Sequence, residues 1–230
     1  SYGLETEIAL RFRALLEAHV PPVPTSNAEA LRAALLPVVK TFIAEERAEI
    51  EAAHRAGASG LEVVARHADL VDAVICQLFW LADRAIPRSL SERSEGCAVL
   101  ALGGYGRREL NPASDVDVMF LHPRRVDEYI RAILDHVLYF LWDLGFTVGH
   151  SCRSLADAVR MMDADLTART SMLEARFLAG SERVFSEFQP EAIVHYGEMP
   201  SAPYSMIDRD HAVFTQTNNV TNTLNVLYAM

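Results

Sequence analysis

The sequence predicts an α+β fold in which a helical N-terminal region precedes a small mixed β-sheet with flanking helices. Apolar residues recur at helical spacing through residues 4–86 of the 230-residue chain. After residue 96, short apolar runs that are bounded by glycine or polar residues replace this pattern, as is typical of buried strands. We therefore expect a helical region over 1–90, a sheet domain over 91–190 and an unassigned segment over 191–230.

Three helices are expected in the N-terminal region. The first covers 4–19 and ends at the proline-rich stretch PPVPTSN, which contains a serine and an asparagine able to cap the next helix. The second covers 28–56, and Pro37 either kinks it or marks its true start. The third covers 61–86, after the break GASG, and its leucines form an apolar stripe.

The second half of the chain alternates between strand and helix patterns. Strands are indicated by short apolar runs, and helices by longer segments with apolar residues three or four positions apart. The last helix ends at Gly180, a plausible C-cap. In chain order we expect strands at 97–102 and 115–121, a helix at 126–144, a strand at 146–154 and helices at 154–162 and 163–180.

Two aspartates, Asp115 and Asp117, lie at the start of the second predicted strand. Side chains alternate between the faces of a strand, so both carboxylates point to one face, while Val116 and Val118 point to the other. Neighbouring carboxylates repel each other and are costly to bury without a partner. Mg²⁺ binds oxygen ligands and removes this conflict, so the pair predicts a magnesium site.

Two glycines, Gly103 and Gly104, directly follow the first predicted strand. Without Cβ atoms they let the backbone approach an anion closely, and the N–H groups of such a turn form an anion-binding concavity. Arg107 and Arg108 add positive charge, and Ser114 adds a hydroxyl beside the metal site. The order of these features indicates a nucleotide–Mg²⁺ complex, with the phosphates on the glycine turn. The loop matches neither the GxxxxGK[ST] nor the GxGxxG pattern.

Composition limits the classes of partner. The net charge of −10 disfavours a broad electrostatic surface for DNA or RNA. No apolar run approaches the ~20 residues that a membrane helix needs, and the first residues lack the layout of a secretory signal. We therefore expect a cytoplasmic protein with neither nucleic-acid nor membrane binding. Cys76, Cys97 and Cys152 lack zinc-ligand spacing and are expected to be structural thiols.

The segment G-G-Y-G-R-x-E-L-x-P-x-S-D-V-D, at 103–117, resembles the nucleotidyltransferase domain of the bacterial PII uridylyltransferase/uridylyl-removing enzymes, in the polymerase-beta-type superfamily. The resemblance continues in LWDLGFTVGHSCRSLADA at 141–158 and in DLTARTSMLEARFLAGSERVF at 165–185. It covers roughly 97–188, and it implies a polymerase-beta-like sheet for the second domain.

The resemblance also implies an activity: the transfer of UMP from UTP to a tyrosine of the PII nitrogen-signalling protein, with release of pyrophosphate. It implies Mg²⁺ as the cofactor. The implied nucleotide-binding residues are Gly103, Gly104, Arg107, Ser114 and Arg153, and the implied catalytic metal ligands are Asp115 and Asp117.

Two of the departures from the family pattern bear on the site and on the activity. The superfamily often has a third carboxylate on a later strand, where this chain has His150; Glu174 is a candidate, with a Glu174–Arg176 ion pair as the alternative. The chain has no H…HD arrangement of a phosphohydrolase, so the resemblance does not include the UMP-removing half. Two other functions are open: nucleotide sensing without turnover, and adenylylation of another protein.

Overall fold

The computed structural model of the protein describes residues 6–20 and 28–188. Within these ranges the chain forms nine helices and four strands. The N-terminal helices are α1 (Glu7–His19), α2 (Ala28–Arg55), α3 (Gly60–Ala85) and α4 (Arg88–Ser91). The later elements are β1 (Ala98–Ala101), α5 (Gly103–Gly106), β2 (Val116–His122), α6 (Glu128–Asp143), β3 (Val148–Ser154), α7 (Leu155–Ala164), α8 (Leu166–Leu173), β4 (Arg176–Gly180) and α9 (Glu182–Phe188).

The three long N-terminal helices confirm the prediction for this region. Thr6 and Ser59 cap α1 and α3, because each side chain accepts the backbone N–H of the third residue that follows. α2 begins at Ala28 and continues through Pro37, so the proline lies within the helix and does not mark its start. None of the helices in the described part of the chain is long and apolar enough to cross a membrane. The predicted cap of α2 and the segment 191–230 lie outside the described residues.

The sheet is mixed, as predicted, and has the strand order β3-β2-β1-β4. β1 pairs antiparallel with both of its neighbours, β2 and β4. β2 pairs parallel with β3, and Asp117 lies opposite Gly149 in the register. The fold class is therefore confirmed.

The predicted helix over 163–180 is wrong in its second half. α8 ends at Leu173, and the following residues form β4 along the edge of β1, with Ala98 opposite Gly180. β1 is wholly buried, so without this second neighbour its outer N–H and C=O groups would have no partners. Gly180 does not cap a helix: its φ is +98°, and a Cβ there would lie 2.1 Å from the Cys97 carbonyl oxygen.

Apolar side chains pack on both faces of the sheet. Val118 and Phe120 of β2 belong to the larger cluster, which also contains the buried side chains of α1, α2, α3 and α6. Met119 and Leu121 point to the opposite face and pack in a smaller cluster with residues of α7, α8 and α9. The start of β2 lies at the margin of this second face, where Asp117 is exposed.

The cysteines that were predicted to be structural are free thiols. Cys76 and Cys97 are buried, and Cys152 is half-buried. Burial raises the pKa of the Cys76 and Cys97 thiols to about 12, so both are protonated at neutral pH. The Cys76 Sγ also donates to the Leu178 carbonyl (3.1 Å), which joins α3 to β4.

We expect His67 to make the fold sensitive to mild acid. His67 is 3% exposed, and neither of its ring nitrogens has a hydrogen-bond partner among the residues that the structure describes. Burial, and secondarily the charge of Arg47, lowers its pKa from 6.5 to about 4. The unfolded chain therefore binds a proton that the folded chain excludes, and stability falls as the pH drops from 6.5 to 4, by about 3 kcal/mol in total.

Urea unfolding of the wild type and of His67→Leu at a series of pH values tests this expectation. The substitution replaces the ionisable ring with an apolar side chain of similar volume, so the variant should lose less stability than the wild type across this pH window. The comparison subtracts the contribution of the acidic residues, which both proteins share. Parallel pH profiles for the two proteins would contradict the assignment to His67.

Candidate active site

The two aspartates lie at the exposed start of β2. Asp117 is the second residue of the strand and shares a face with Met119 and Leu121, whereas Val116 and Val118 pack into the larger cluster on the other face. The predicted alternation along the strand is therefore confirmed. Asp115 immediately precedes the strand and is also exposed.

The charge of Asp115 acts on the Asp117 carboxyl. Partial burial, and secondarily the charge of Asp115, raises the pKa of Asp117. Within residues 6–20 and 28–188 neither carboxylate has an ion pair or a side-chain hydrogen bond. A cation beside the two acids would relieve their repulsion.

The donor set fits Mg²⁺, which takes oxygen ligands and commonly uses one or two carboxylates together with substrate phosphates. In the described ranges no group of three or more His, Cys, Asp or Glu side chains could hold a metal. Two carboxylates are thus what the described chain offers at this position, and phosphate and water oxygens would have to complete the coordination.

Gly149 on β3 makes room for the Asp117 side chain. The two residues are register partners in the parallel pair β2–β3. A Cβ at position 149 would lie 2.1 Å from Asp117 Oδ1, well inside any real contact distance. The Asp117 carboxylate therefore extends over the backbone of the neighbouring strand, and only glycine leaves this space free.

The glycine turn lies directly beside Asp117. Gly103 and Gly104 open α5, a four-residue helical turn that follows β1, and Gly103 has a φ of +54°, which favours glycine. The N–H of Leu102, just before the turn, donates to the Asp117 carbonyl (3.0 Å). The structure thus brings together the predicted phosphate turn and the predicted metal ligands.

A third glycine in this turn was not singled out from the sequence. A Cβ on Gly106 would lie 2.2 Å from the Glu174 carbonyl oxygen and 3.0 Å from that of Ala101. Both contacts are with backbone, which cannot rotate away as a side chain can. The glycine at the end of the GGYG segment could have indicated this close approach. In the structure Gly106 lets the turn pack against the end of α8.

Arg107 is held by two carboxylates. Its Nε donates to Glu109 (2.9 Å), and its Nη1 donates to Glu174, which follows the last residue of α8. These partners, Glu109 first, raise the pKa of the guanidinium. The alternative Glu174–Arg176 ion pair is wrong, because Arg176 pairs with Asp72.

Ser114 lies in the connection between the turn and β2. Its hydroxyl donates to the Asn111 carbonyl (2.8 Å), and the Ser114 N–H donates to the same oxygen (3.0 Å). The Asn111 side chain accepts the Ala113 N–H (3.0 Å), which closes an Asx turn. Ser114 therefore supports the local shape of the connection that leads to Asp115.

β3 presents Arg153 and His150 to opposite faces of the sheet. Arg153 is in register with Leu121, on the face of Asp117 but four residues farther along the sheet, and its buried Nε has no partner within the described ranges. His150 points to the other face, where its ring makes an edge contact with Trp142 (5.6 Å between centroids). His150 is thus not on the side of the sheet that a third carboxylate would need.

The N-terminal helices also contribute to this region, which the sequence did not indicate. Asp69 of α3 pairs with Arg108, and Asp72, one turn later, pairs with Arg176 of β4. One feature of the sequence could have indicated this pair: Asp72 is an acidic residue in the apolar run LVDAVICQLFWLA. A carboxylate in a buried run needs a partner, because burying it alone is costly. The partner, 104 residues away, could not be identified from the pattern.

Comparison with known proteins connects this geometry to an enzyme family. Residues 13–139 match the family described as glutamate-ammonia ligase adenylyltransferase. The chain is 40% identical over 177 residues, 76% of its length, to a bifunctional uridylyltransferase/uridylyl-removing enzyme of Erythrobacter litoralis. It is 38% identical over 167 residues, 72% of its length, to the Rhodospirillum rubrum enzyme of the same name. A Novosphingobium aromaticivorans enzyme of that name is 48% identical over 102 residues, 44% of this chain and 11% of that enzyme.

These relatives are much longer than the chain. The matched region is 19% of the Erythrobacter litoralis enzyme and 18% of the Rhodospirillum rubrum enzyme. The chain thus spans about a fifth of the length of the curated relatives it matches. The family match covers the second half of α1, the other N-terminal helices and the segment that carries the glycine turn and the aspartates.

Proposed function

Because the chain belongs to the nucleotidyltransferase family described as glutamate-ammonia ligase adenylyltransferase, we propose that it transfers a nucleoside monophosphate from an NTP to a protein hydroxyl. One observation carries the proposal: Leu102, at the entry to the glycine turn, donates its N–H to the Asp117 carbonyl. A turn suited to phosphate therefore lies beside carboxylates suited to Mg²⁺.

Each part of the site has a role in this proposal. Gly103 and Gly104 let the triphosphate approach the backbone, and Asp115 and Asp117 would hold Mg²⁺, which supplies positive charge to the reacting oxygens when bound. The acceptor hydroxyl attacks the α-phosphorus, and its proton is released. The bond between the α-phosphorus and the bridging oxygen to the β-phosphorus breaks, and pyrophosphate leaves.

Three further residues are proposed to support the nucleotide. Arg107 lies at the end of the glycine turn. Arg153 lies on the Asp117 face of the sheet, and its Nε has no partner in the described part of the chain, so both are proposed phosphate contacts. Ser114 is proposed to hold the connection before Asp115 in shape through Asn111. Glu174 stays the candidate for an additional carboxylate, and it would have to leave its ion pair with Arg107 to bind the metal.

We propose UMP as the transferred group, UTP as its donor and a tyrosine of a PII-like signalling protein as the acceptor, with the reaction in the cytoplasm. The names of the relatives support the choice of uridylyl transfer. AMP transfer to another protein is the second candidate, and the description of the matched family favours it. The glycine turn and the carboxylates bind phosphates and metal, so they do not select between the bases.

Incubation with each of the four NTPs, labelled at the α-phosphate, tests the proposal. The reactions contain Mg²⁺ and a PII protein, and labelled protein is measured after separation from free nucleotide. We expect label from UTP on the PII protein, with one pyrophosphate released for each UMP transferred. Label from ATP in its place would favour the second candidate, and absence of label from every NTP would count against both.

The remaining alternative, a nucleotide-sensing module, makes a different prediction for the same samples. A sensor binds the nucleotide, which calorimetry detects as heat, but releases no pyrophosphate. The small number of carboxylates at the described site is the observation that keeps this alternative open. Binding of a nucleotide without turnover in the presence of the acceptor would therefore replace the transferase proposal with this one.

A further inference from the structure

We propose that Asp72 of α3 and Arg176 of β4 are positioning residues for the nucleotide. They hold the Gly103–Gly106 turn in the conformation that receives the triphosphate. The inference rests on the proposed function, because it assumes that this turn binds phosphates. It adds that the N-terminal helical region, through α3, is part of the nucleotide site.

The two side chains form a paired, mostly buried unit. Arg176 Nη1 donates to Asp72 Oδ2 (2.7 Å), and Nη2 donates to Oδ1 (3.0 Å). The Asp72 side chain is 3% exposed and that of Arg176 is 22% exposed. A charge in such surroundings needs a partner, and two parallel hydrogen bonds fix the plane of the guanidinium as well as its position.

The Arg176 guanidinium also donates hydrogen bonds to the backbone of the glycine turn. Its Nε donates to the Gly106 carbonyl (3.1 Å), and its Nη2 donates to the Tyr105 carbonyl (3.2 Å). It also lies 5.5 Å from the centre of the buried Tyr105 ring. Arg176 therefore contacts three groups of the turn while Asp72 fixes its orientation.

Other contacts limit how far the turn could move if this pair were lost. At its start, the Leu102 N–H is bonded to Asp117 of β2. Just after its end, Arg108 has a left-handed φ of 63° and pairs with Asp69, one helical turn before Asp72 on α3. The turn thus keeps these attachments without Arg176, but the Gly106 carbonyl loses its guanidinium donor and the Tyr105 carbonyl is left with the Arg108 N–H (3.1 Å). We expect a displaced turn in a folded protein.

Two substitutions test the inference in the full chain. Asp72→Asn keeps the shape of the side chain but removes its charge, and Arg176→Lys keeps the charge but loses the planar fork. We expect the KM for the nucleotide, and its Kd measured by calorimetry with Mg²⁺, to rise about tenfold in each, which corresponds to one weakened charge-assisted hydrogen bond. The KM for the acceptor protein should stay unchanged.

A buried carboxylate in the same helical region provides the matched control. Glu46 of α2 pairs with Arg11 of α1, and its side chain is 1% exposed. Glu46→Gln makes the same kind of change away from the turn, so it should lower stability without changing the nucleotide KM. A purely structural role for Asp72 would give this same result, since a smaller folded fraction lowers the apparent kcat but does not change KM.

The outcomes separate this inference from the proposed function. Wild-type nucleotide KM and Kd in folded Arg176→Lys and Asp72→Asn would overturn the positioning role while leaving the transferase proposal in place. If Asp72→Asn does not fold, Arg176→Lys, which retains an ion pair with Asp72, decides the question. If the wild type neither binds nor uses any NTP, the proposed function fails, and this inference fails with it.

Discussion

Asp117→Asn should lower the rate of nucleotidyl transfer on the order of 10³-fold and leave the protein folded. The substitution preserves the size of the side chain but removes one of the two charges that would hold Mg²⁺. Metal stabilisation of the reacting oxygens contributes several kcal/mol, and each 1.36 kcal/mol corresponds to a factor of ten in rate. Stability should not fall, because the Asp117 carboxylate has no ion pair in the described chain and repels Asp115.

Asp135→Asn is the matched control for this experiment. Asp135 is exposed on α6, which packs on the opposite face of the sheet from the Asp117 side chain. Asp135→Asn makes the same chemical change on the other side of the sheet from the proposed metal site, so this variant should retain wild-type transfer. Rates are measured with saturating acceptor over a range of Mg²⁺ concentrations, and folding is checked by circular dichroism and thermal unfolding. Undiminished transfer by Asp117→Asn would mean that these aspartates are not the metal site.

Gly149→Ala should reduce transfer on the order of 100-fold, with only a small change in stability. The added methyl group would occupy a position 2.1 Å from Asp117 Oδ1, so the carboxylate has to rotate away. The displaced group is the end of a side chain, so the fold can adapt at little cost. A displacement of about 1 Å in a reacting constellation is enough for a 100-fold loss of rate.

Gly60→Ala is the control for the addition of a methyl group. Gly60 begins α3, a Cβ there would meet nothing within 4 Å, and its φ is not in the left-handed region. This variant should retain wild-type transfer, with stability unchanged or slightly increased. If Gly149→Ala also transfers at the wild-type rate, the orientation of Asp117 over β3 is not required for the reaction.

Local patterns were sufficient for most of the architecture. Helical spacing predicted the long N-terminal helices and α6, and short apolar runs predicted β1, β2 and β3, since these signals depend on neighbouring residues. Alternation along β2 also predicted that Asp117 would share a face with Met119. The order of the elements along the chain also predicted that Asp117 would lie beside the glycine turn.

The features that sequence analysis missed depend on distant residues. The segment before Gly180 has apolar residues at helical spacing, but it forms β4 because the edge of β1, some 80 residues earlier, offers unpaired backbone groups. The Asp72–Arg176 pair joins residues separated by 104 positions, and the spacing of apolar residues along a helix or strand does not indicate such a distant partner. The orientation of His150 followed only once the register between β2 and β3 was known.

The attachment of α3 to the glycine turn bears on how such enzymes could be recombined. One residue added or removed early in α3 would rotate its later side chains by about 100° and carry Asp69 and Asp72 away from their arginines together. A chimaera that joins the helical part of one enzyme to the sheet of another therefore has to inherit both acids with both bases. Directed evolution of this scaffold should therefore keep or exchange the two acids and their two arginine partners together.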